Sequence, residues 1–275
     1  MSAITGNSYK PIVATIKRIE TLTPTEKIFE IELPNGDALG HGPGQFVQLL
    51  VPGIGEAPIS ICSSPTDKNF ELTIRKVGDV TTAMHNIENG AKVGIRGPFG
   101  FGFPMDKLQG NDILVVAGGI GLAPLRSVIR YILAKRDEFG RFIILHGART
   151  PEDRLFKDEL DRWTSDSNVE LYETVDKPTP DWKGNGGVIT TLFKQININA
   201  AKTYALICGP PVMYKFVILE CQSKGIADNR ILASLERHMK CGLGKCGHCQ
   251  INGNYCCQQG PVFTFTQIRN LEEAL

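Results

Sequence analysis

The chain has 275 residues and a formal net charge of +1, with 42% hydrophobic and 21% charged residues. This length predicts about two domains and an appended segment, and the composition is that of a globular protein with buried cores. The balanced charge excludes the basic signature of a nucleic-acid or anionic-membrane binder. The N-terminus lacks the apolar core of a signal peptide, and the longest apolar run, residues 113–124, is too short to span a bilayer. We therefore expect a cytoplasmic protein that binds neither nucleic acid nor membrane.

The first hundred or so residues alternate short β-type segments with turn signals. Strands are predicted at residues 12–19, 26–33, 45–51, 70–77 and 92–96, and glycine- and proline-containing turns are predicted at 34–37 and 42–44. Many short strands at close spacing favour an antiparallel barrel. We predict that this barrel domain occupies residues 1–108.

The pattern changes near Asn111, where strands begin to alternate with helices. Strands are predicted at residues 112–117, 141–146, 169–174, 204–208 and 231–235, and helices at 125–135, 151–163 and 211–224. This alternation predicts a parallel, doubly wound α/β domain, which we place at residues 109–236.

A cysteine-rich module follows, at residues 237–275. Cys241, Cys246 and Cys249 have the C-x4-C-x2-C spacing of plant-type ferredoxins, in which four thiolates hold a [2Fe–2S] cluster. Zinc sites more often use two separated pairs, disulfides are typical of secreted domains, and inert buried thiols are seldom clustered so tightly. The spacing therefore favours an iron–sulfur cluster, and it allows either Cys256 or Cys257 as the fourth ligand.

Two loops of the α/β domain are candidates for binding a dinucleotide. Residues 118–124 (Gly-Gly-Ile-Gly-Leu-Ala-Pro) join a strand to a helix, and residues 208–213 (Cys-Gly-Pro-Pro-Val-Met) follow another strand. Open α/β sheets bind ligands at the carboxyl ends of their strands. In the barrel, residues 56–61 lie on a strand and residues 78–82 begin a short helix that could hold a phosphate through Thr81 and Thr82.

In this order and separation, these blocks resemble the ferredoxin–NADP reductase superfamily over nearly the whole chain. The further blocks that carry the resemblance are residues 97–100 (Gly-Pro-Phe-Gly), 146–149 (His-Gly-Ala-Arg), 236–242 (Glu-Arg-His-Met-Lys-Cys-Gly) and 257–263 (Cys-Gln-Gln-Gly-Pro-Val-Phe). Within the superfamily, the chain looks like the flavin- and iron–sulfur-containing electron-transfer subunits of three enzymes. These enzymes are cytoplasmic nickel–iron hydrogenase (its gamma subunit), anaerobic sulfite reductase and dihydroorotate dehydrogenase.

The resemblance implies three cofactors, FAD, NAD(P)H and a [2Fe–2S] cluster, and a set of residues for each. The implied flavin contacts are Pro58, Ile59, Ser60, Ile61, Ile74, Arg75, Lys76, Gly78, Thr81 and Thr82. The implied nicotinamide-dinucleotide contacts are Gly118, Gly119, Gly121, Ala123, Pro124, Arg149, Cys208, Gly209, Pro210 and Met213. The implied cluster ligands are Cys241, Cys246, Cys249 and Cys257, with Cys256 as a bystander, and no side chain is assigned as a general acid or base.

The resemblance also implies the activity, that of an NAD(P)H-dependent flavin oxidoreductase. Such a chain would exchange electrons between NAD(P)H, FAD and the cluster on behalf of a partner redox enzyme, for which a nickel–iron hydrogenase is expected. The alternatives are the corresponding subunit of dihydroorotate dehydrogenase or sulfite reductase, and a zinc-stabilised binding module with a degenerate reductase fold. The chain departs from the superfamily at Ala57, where an arginine usually contacts the flavin phosphate. Arg149, Arg154 and Asp176 do not decide between NADH and NADPH.

Overall fold

The computed structural model describes residues 7–166 and 168–274, which form two compact units. The first unit comprises residues 7–103, Arg126–Tyr131 and Leu235–Val262. The second comprises Pro104–Leu125, Ile132–Ser234 and residues 263–274. In the described ranges, no helix is long and apolar enough to cross a membrane.

Six antiparallel strands build the sheet of the first unit. They are β1 (Ile12–Thr21), β2 (Glu26–Glu32), β3 (Phe46–Val51), β4 (Gly55–Ser60), β5 (Phe70–Arg75) and β6 (Lys92–Phe99). Their order in the sheet is β4-β3-β6-β1-β2-β5. A bridge between Ile61 and Leu72 joins the end of β4 to β5 and closes the sheet into a barrel. Helix α1 (Asp79–His85) connects β5 to β6.

Alternate side chains of these strands fill the barrel. Phe29, Val47 and Leu49 are fully buried there, as the period of two along a strand requires. Strand β3 is unusual because its other face is also covered: Gln48 is 0% exposed. The Gln48 side chain donates a hydrogen bond from Nε2 to the carbonyl of Met239 at 2.9 Å. The cysteine-rich segment therefore packs on the outer face of this strand.

That segment, Leu235–Val262, forms a small hairpin and a short helix within the first unit. The elements are β13 (Gln250–Ile251), β14 (Asn254–Tyr255) and α6 (Cys256–Gln259). Asn252 and Gly253, both with positive φ, make the two-residue turn of the hairpin. The amide of Leu235 donates to the carbonyl of Pro261 at 2.9 Å, which joins the two ends of the segment.

The second unit is built on a mainly parallel sheet. Its strands are β7 (Asp112–Gly118), β8 (Phe142–Ala148), β9 (Glu170–Val175), β10 (Asn185–Gly186), β11 (Thr203–Cys208), β12 (Ile231–Ser234) and β15 (Val262–Thr264), in the order β10-β9-β8-β7-β11-β12-β15. The pairings from β10 to β12 are parallel. Its helices are α2 (Met105–Leu108), α3 (Leu122–Ala134), α4 (Lys157–Ser165), α5 (Pro211–Ser223) and α7 (Phe265–Ile268). Residues 126–131 of α3 belong to the first unit.

The predicted architecture of an antiparallel barrel followed by a parallel α/β domain is confirmed. The helix predicted over residues 151–163 begins later, at Lys157. Phe156, just before it, adopts a left-handed backbone conformation, and the hydroxyl of Thr150 donates to Asp153 at 2.8 Å in a separate turn. The segment predicted as a third module, 237–275, is shared between the units, with the division after Val262.

Candidate functional site

The residues predicted to contact the flavin lie on one wall of the barrel, formed by β4, β5 and α1. Pro58, Ile59 and Ser60 are half-buried along β4. Ile61 and Ile74, in contrast, are 0% and 1% exposed because their side chains belong to the barrel core. They therefore offer a ligand only backbone groups.

Arg75 and Lys76 follow at the exposed end of β5. The Nε of Arg75 pairs with a carboxylate oxygen of Glu26, which is itself only 3% exposed. Glu26 also accepts hydrogen bonds from the hydroxyls of Thr23 and Thr25. The ion pair with Glu26 thus fixes the position of Arg75, while 43% of the arginine side chain stays exposed. This exposure suits the guanidinium to contact an anionic ligand.

The turn that leads into α1 is closed by Thr81. Its hydroxyl accepts hydrogen bonds from the amides of Val77 and Gly78, both at 2.9 Å, and donates to the carbonyl of Gly78 at 3.0 Å. These bonds shape the loop that was predicted to hold the flavin pyrophosphate. Among the described residues the hydroxyl of Thr82 has no such partner, so it is the better placed of the two to reach a phosphate.

In the second unit, the two predicted dinucleotide loops touch each other. Strands β7 and β11 are parallel neighbours, with Ala117 opposite Cys208, so the loops that follow them begin at the same edge of the sheet. A Cβ atom added at Gly118 would lie 2.5 Å from the sulfur of Met213, and one at Gly121 would lie 2.3 Å from the carbonyl oxygen of Cys208. These two glycines are required because the loops pack so closely.

The other predicted residues of these loops differ in how open they are. Ala123, Pro124 and Cys208 are buried, and Gly209 is half-buried against Met213. Gly119 has φ of +53° and no atom within 4 Å of an added Cβ, so open space lies beside it. It is the glycine of this loop that a ligand can approach most closely.

Arg149 lies at the carboxyl end of β8, next to these loops in the sheet order, and its side chain is exposed. Nearby, Glu173 of β9 accepts a bidentate interaction from Arg154, at 3.0 and 2.6 Å, and lies 3.0 Å from Nδ1 of His146. Burial opposes ionisation of Glu173, but these hydrogen bonds outweigh it and hold the pKa of the carboxyl below its ordinary value. Arg154 is therefore committed to Glu173, whereas Arg149 makes no side-chain hydrogen bond or ion pair among the described residues.

The loop that carries Cys241, Cys246 and Cys249 lies against the helix that carries Cys257. The amide of Gly244 donates to Sγ of Cys257 at 3.1 Å, and the amide of Cys256 donates to the carbonyl of Cys249 at 3.1 Å. Among the described residues, no group of three or more His, Cys, Asp or Glu side chains is arranged around a single metal ion. A two-iron cluster needs four thiolates, because each iron takes two.

Backbone amides of the loop point at these sulfurs. Leu243 and Lys245 donate to Sγ of Cys241 at 3.3 and 3.4 Å, and Gly244 donates to Sγ of Cys257 at 3.1 Å. Amide hydrogen bonds, that of His248 foremost, lower the pKa of Cys246 to about 7. Such donors stabilise thiolates and would also tune a bound cluster.

The adjacent cysteines Cys256 and Cys257 face different surroundings. Cys256 is 0% exposed, and its thiol donates to the carbonyl of Leu235 at 3.8 Å. The sulfur of Cys257 instead accepts a hydrogen bond from the amide of Gly244 in the cluster loop. The geometry favours Cys257 as the fourth ligand, which the spacing alone left open.

Sequence reasoning missed Arg96 on β6, a buried arginine that touches the cluster loop. It is 5% exposed, binds both carboxylate oxygens of Glu56 on β4 at 2.8 and 2.6 Å, and donates to the carbonyl of Cys241 at 3.1 Å. The only signal in the sequence was a charged residue between the strand residues Ile95 and Gly97, which is common on a solvated face.

Comparison with known protein families assigns a cofactor to each region. The oxidoreductase FAD-binding domain matches residues 13–102, and the oxidoreductase NAD-binding domain matches residues 115–218. The iron–sulfur cluster binding domain of dihydroorotate dehydrogenase B matches residues 236–269. These matches confirm the predicted cofactor classes.

Relatives of known type extend over almost the whole chain. The gamma subunits of sulfhydrogenases 2 and 1 from Pyrococcus furiosus are 40% and 42% identical, covering 94% and 95% of this chain and 96% and 93% of their own. A probable electron-transfer subunit of dihydroorotate dehydrogenase B from Methanocaldococcus jannaschii is 33% identical, over 96% of this chain and 93% of its own.

Solved structures agree on the fold. A structure of an NADH-dependent reduced ferredoxin–NADP oxidoreductase superposes with a TM-score of 0.74 at 24% identity, covering 96% of this chain and 90% of its own. The cytochrome b5 reductase domain of Ulva prolifera nitrate reductase gives a TM-score of 0.70 at 22% identity, covering 82% of this chain and 98% of its own. The chain is thus an FAD- and NAD-binding oxidoreductase with an iron–sulfur region, and it belongs to the family of the sulfhydrogenase gamma subunits and the dihydroorotate dehydrogenase B electron-transfer subunits.

Proposed function

We propose that this chain is the electron-transfer subunit of a nickel–iron hydrogenase complex, exchanging electrons between NAD(P)H, FAD and a [2Fe–2S] cluster. The observation that carries the proposal is the loop in which the successive amides of Leu243, Gly244 and Lys245 donate to the sulfurs of Cys241 and Cys257. This arrangement supports a cluster of two irons, which transfers one electron at a time. FAD supplies the link between hydride chemistry and single-electron transfer, and the protein binds and orients the cofactors.

The binding roles divide between the two units. On the barrel wall, the half-buried β4 residues Pro58 to Ser60 would lie along the flavin, while Arg75, Lys76 and Thr82 would hold its phosphates. Arg75 is suited to this because Glu26 fixes its position without covering it. In the second unit, Gly119 and Arg149 are the open groups through which a dinucleotide would be bound.

The hydrogenase partner is favoured by the degree of identity. The two sulfhydrogenase gamma subunits are 40% and 42% identical to this chain, whereas the probable dihydroorotate dehydrogenase electron-transfer subunits of Methanocaldococcus jannaschii and Methanocella arvoryzae are 33% and 35% identical. The dihydroorotate dehydrogenase partner is the second candidate, because the family model for residues 236–269 is that of its iron–sulfur domain.

The cofactor content tests the first part of the proposal. Protein purified without oxygen should contain one flavin with about two irons and two sulfides per chain. Cys257→Ser should lose most of the iron, while the matched control Cys256→Ser should keep it, since Cys256 faces Leu235 rather than the loop. Loss of iron in Cys256→Ser with retention in Cys257→Ser would reverse the assignment of the fourth ligand.

The partner is tested by purifying the native complex through a tag on this chain. Nickel in the complex, with NAD(P)H-linked hydrogen evolution, supports the hydrogenase proposal. A complex without nickel that oxidises dihydroorotate supports the second candidate.

The cellular location of this chain is inferred to be the cytoplasm, since all eight cysteines are free thiols, as is typical of reducing compartments.

A further inference from the structure

A buried cation lies between the predicted flavin strand and the first cluster ligand. Arg96 is 5% exposed on β6, where its Cα is paired with that of Gln48 on β3. Its Nε and Nη2 bind the two carboxylate oxygens of Glu56, and its Nη1 donates to the carbonyls of Ser8 and Cys241, each at 3.1 Å. One guanidinium therefore connects strand β4 to the cluster loop.

The surroundings keep this guanidinium charged and immobile. The hydrogen bond from Arg96 to Glu56 raises the pKa of Arg96 further. The guanidinium also lies over the ring of Phe99, 5.6 Å from its centroid. That ring packs against Gly242, where an added Cβ would lie 2.7 Å from it. Phe99, which lies under the guanidinium, therefore also contacts the residue after Cys241.

Attachment of the loop to the barrel does not by itself require a charge here. Gln48, on the same outer face, already ties the segment to β3 through a neutral hydrogen bond to Met239. Burial of an arginine costs desolvation free energy even when it is paired, so a neutral donor could attach the loop at a lower free-energy cost. The property that Arg96 adds is a fixed positive charge beside a cluster ligand, and cluster potentials depend on nearby charge and hydrogen bonding.

We infer that the Glu56–Arg96 ion pair positions the Cys241 end of the cluster loop and sets the reduction potential of the cluster. The inference rests on the proposed function, because it needs a cluster at Cys241. The cation stabilises the additional electron of the reduced cluster, and Glu56 moderates that effect. Because Glu56 lies on the strand that carries Pro58 and Ser60, the pair also gives the flavin wall and the cluster a common anchor.

The test is the midpoint potential of the cluster in full-length protein purified without oxygen. The potential is measured by redox titration with EPR detection. Arg96→Gln removes the positive charge and should shift the potential to more negative values. Glu56→Gln leaves the arginine uncompensated and should shift it to more positive values. Arg96→Lys keeps the charge and should fall between Arg96→Gln and the unchanged protein.

Arg141 and Glu170 provide a matched control, since they form a bidentate ion pair in the second unit. Arg141→Gln and Glu170→Gln should leave the cluster potential unchanged. Shifts of the same sign in Arg96→Gln and Glu56→Gln, or none beyond the controls while iron is retained, would overturn the inference and leave the proposed function standing. If Arg96→Gln fails to fold, Glu56→Gln decides: a positive shift supports the inference, and no shift or a negative one refutes it. Failure of the proposed function would look different, since the unchanged protein would then lack iron and sulfide.

Discussion

At the scale of single residues, Gly119 and Gly121 have different reasons to be glycine although they lie in one loop. A Cβ at Gly121 would meet backbone atoms at the end of β11, with the carbonyl carbon of Cys208 at 2.4 Å and the amide nitrogen of Gly209 at 2.6 Å. These atoms cannot move without disturbing the pairing of β7 with β11. At Gly119 the space is open and only the positive φ disfavours a side chain.

We therefore expect Gly121→Ala to lower the free energy of unfolding by about 3 kcal/mol. Gly119→Ala should cost only about 1 kcal/mol, since the strain is confined to one left-handed residue, but it should raise the KM for NAD(P)H. Urea unfolding and steady-state kinetics with an artificial electron acceptor measure the two effects. Equal stability losses in the two variants would contradict this division of roles.

The ion pair of Glu173 should make the free energy of unfolding depend on pH. Its pKa is lower in the folded protein than in the unfolded chain, so its contribution to stability is complete above the ordinary glutamate value of about 4.3 and is lost as the pH falls through the lower folded value. Glu173→Gln should cost about 3 kcal/mol at pH 7, because it breaks a largely buried pair with Arg154.

The stability difference between Glu173→Gln and the unchanged protein should shrink in acid, which urea unfolding between pH 7 and pH 3 can follow. Glu170→Gln is the control: its partner Arg141 is 39% exposed, and the loss there should be below about 1 kcal/mol. A difference for Glu173→Gln that does not change with pH would mean that the ionised carboxylate is not what stabilises the fold.

At the scale of elements, β3 has two buried faces with different tasks. Val47 points into the barrel core, while Gln48 points outward and holds the carbonyl of Met239. Val47→Ala should therefore lower barrel stability by about 2 kcal/mol and leave the cluster loop attached. Gln48→Leu should loosen residues 237–249 and reduce iron retention, with a smaller effect on the barrel.

Thermal unfolding and limited proteolysis distinguish these outcomes, because loosening of the segment would expose new cleavage sites near Met239. If Gln48→Leu protein kept its iron and resisted protease as the unchanged protein does, the outer face of β3 would not be what retains the cluster segment.

Strand β6 shows which features of this chain a sequence can predict and which it cannot. Loops such as residues 118–124 and 241–249 were predictable because their chemistry is local: glycines at a strand end and thiols at fixed spacing. The partners of Arg96 lie far away along the chain, 40 residues at Glu56 and 145 residues at Cys241. Alternation along β6 predicts only which way its side chain points, and a contact with the cluster loop depends on a packing that no local pattern encodes.

At the scale of the whole chain, segments that are adjacent in sequence do not always belong to the same compact unit. The cysteine segment follows the α/β domain in sequence but packs with the barrel as Leu235–Val262, and residues 263–274 then join the second unit. A module that can be recognised by its motif therefore need not coincide with a compact unit of the chain. Its attachment to β3 relies on side chains such as Gln48, whose buried state is visible only once the sheet is assembled.

This organisation predicts how many electrons the chain can store. A chain with one FAD and one [2Fe–2S] cluster should take up about three electrons in an anaerobic reductive titration, two on the flavin and one on the cluster. Cys257→Ser should take up about two, with the flavin absorbance still fully bleached, and Cys256→Ser about three. Absorbance and EPR signals followed together assign each electron. An uptake of two electrons by the unchanged protein would mean that the cluster is absent, and an uptake of one would mean that the flavin is absent. The count therefore tests for both proposed cofactors in one experiment.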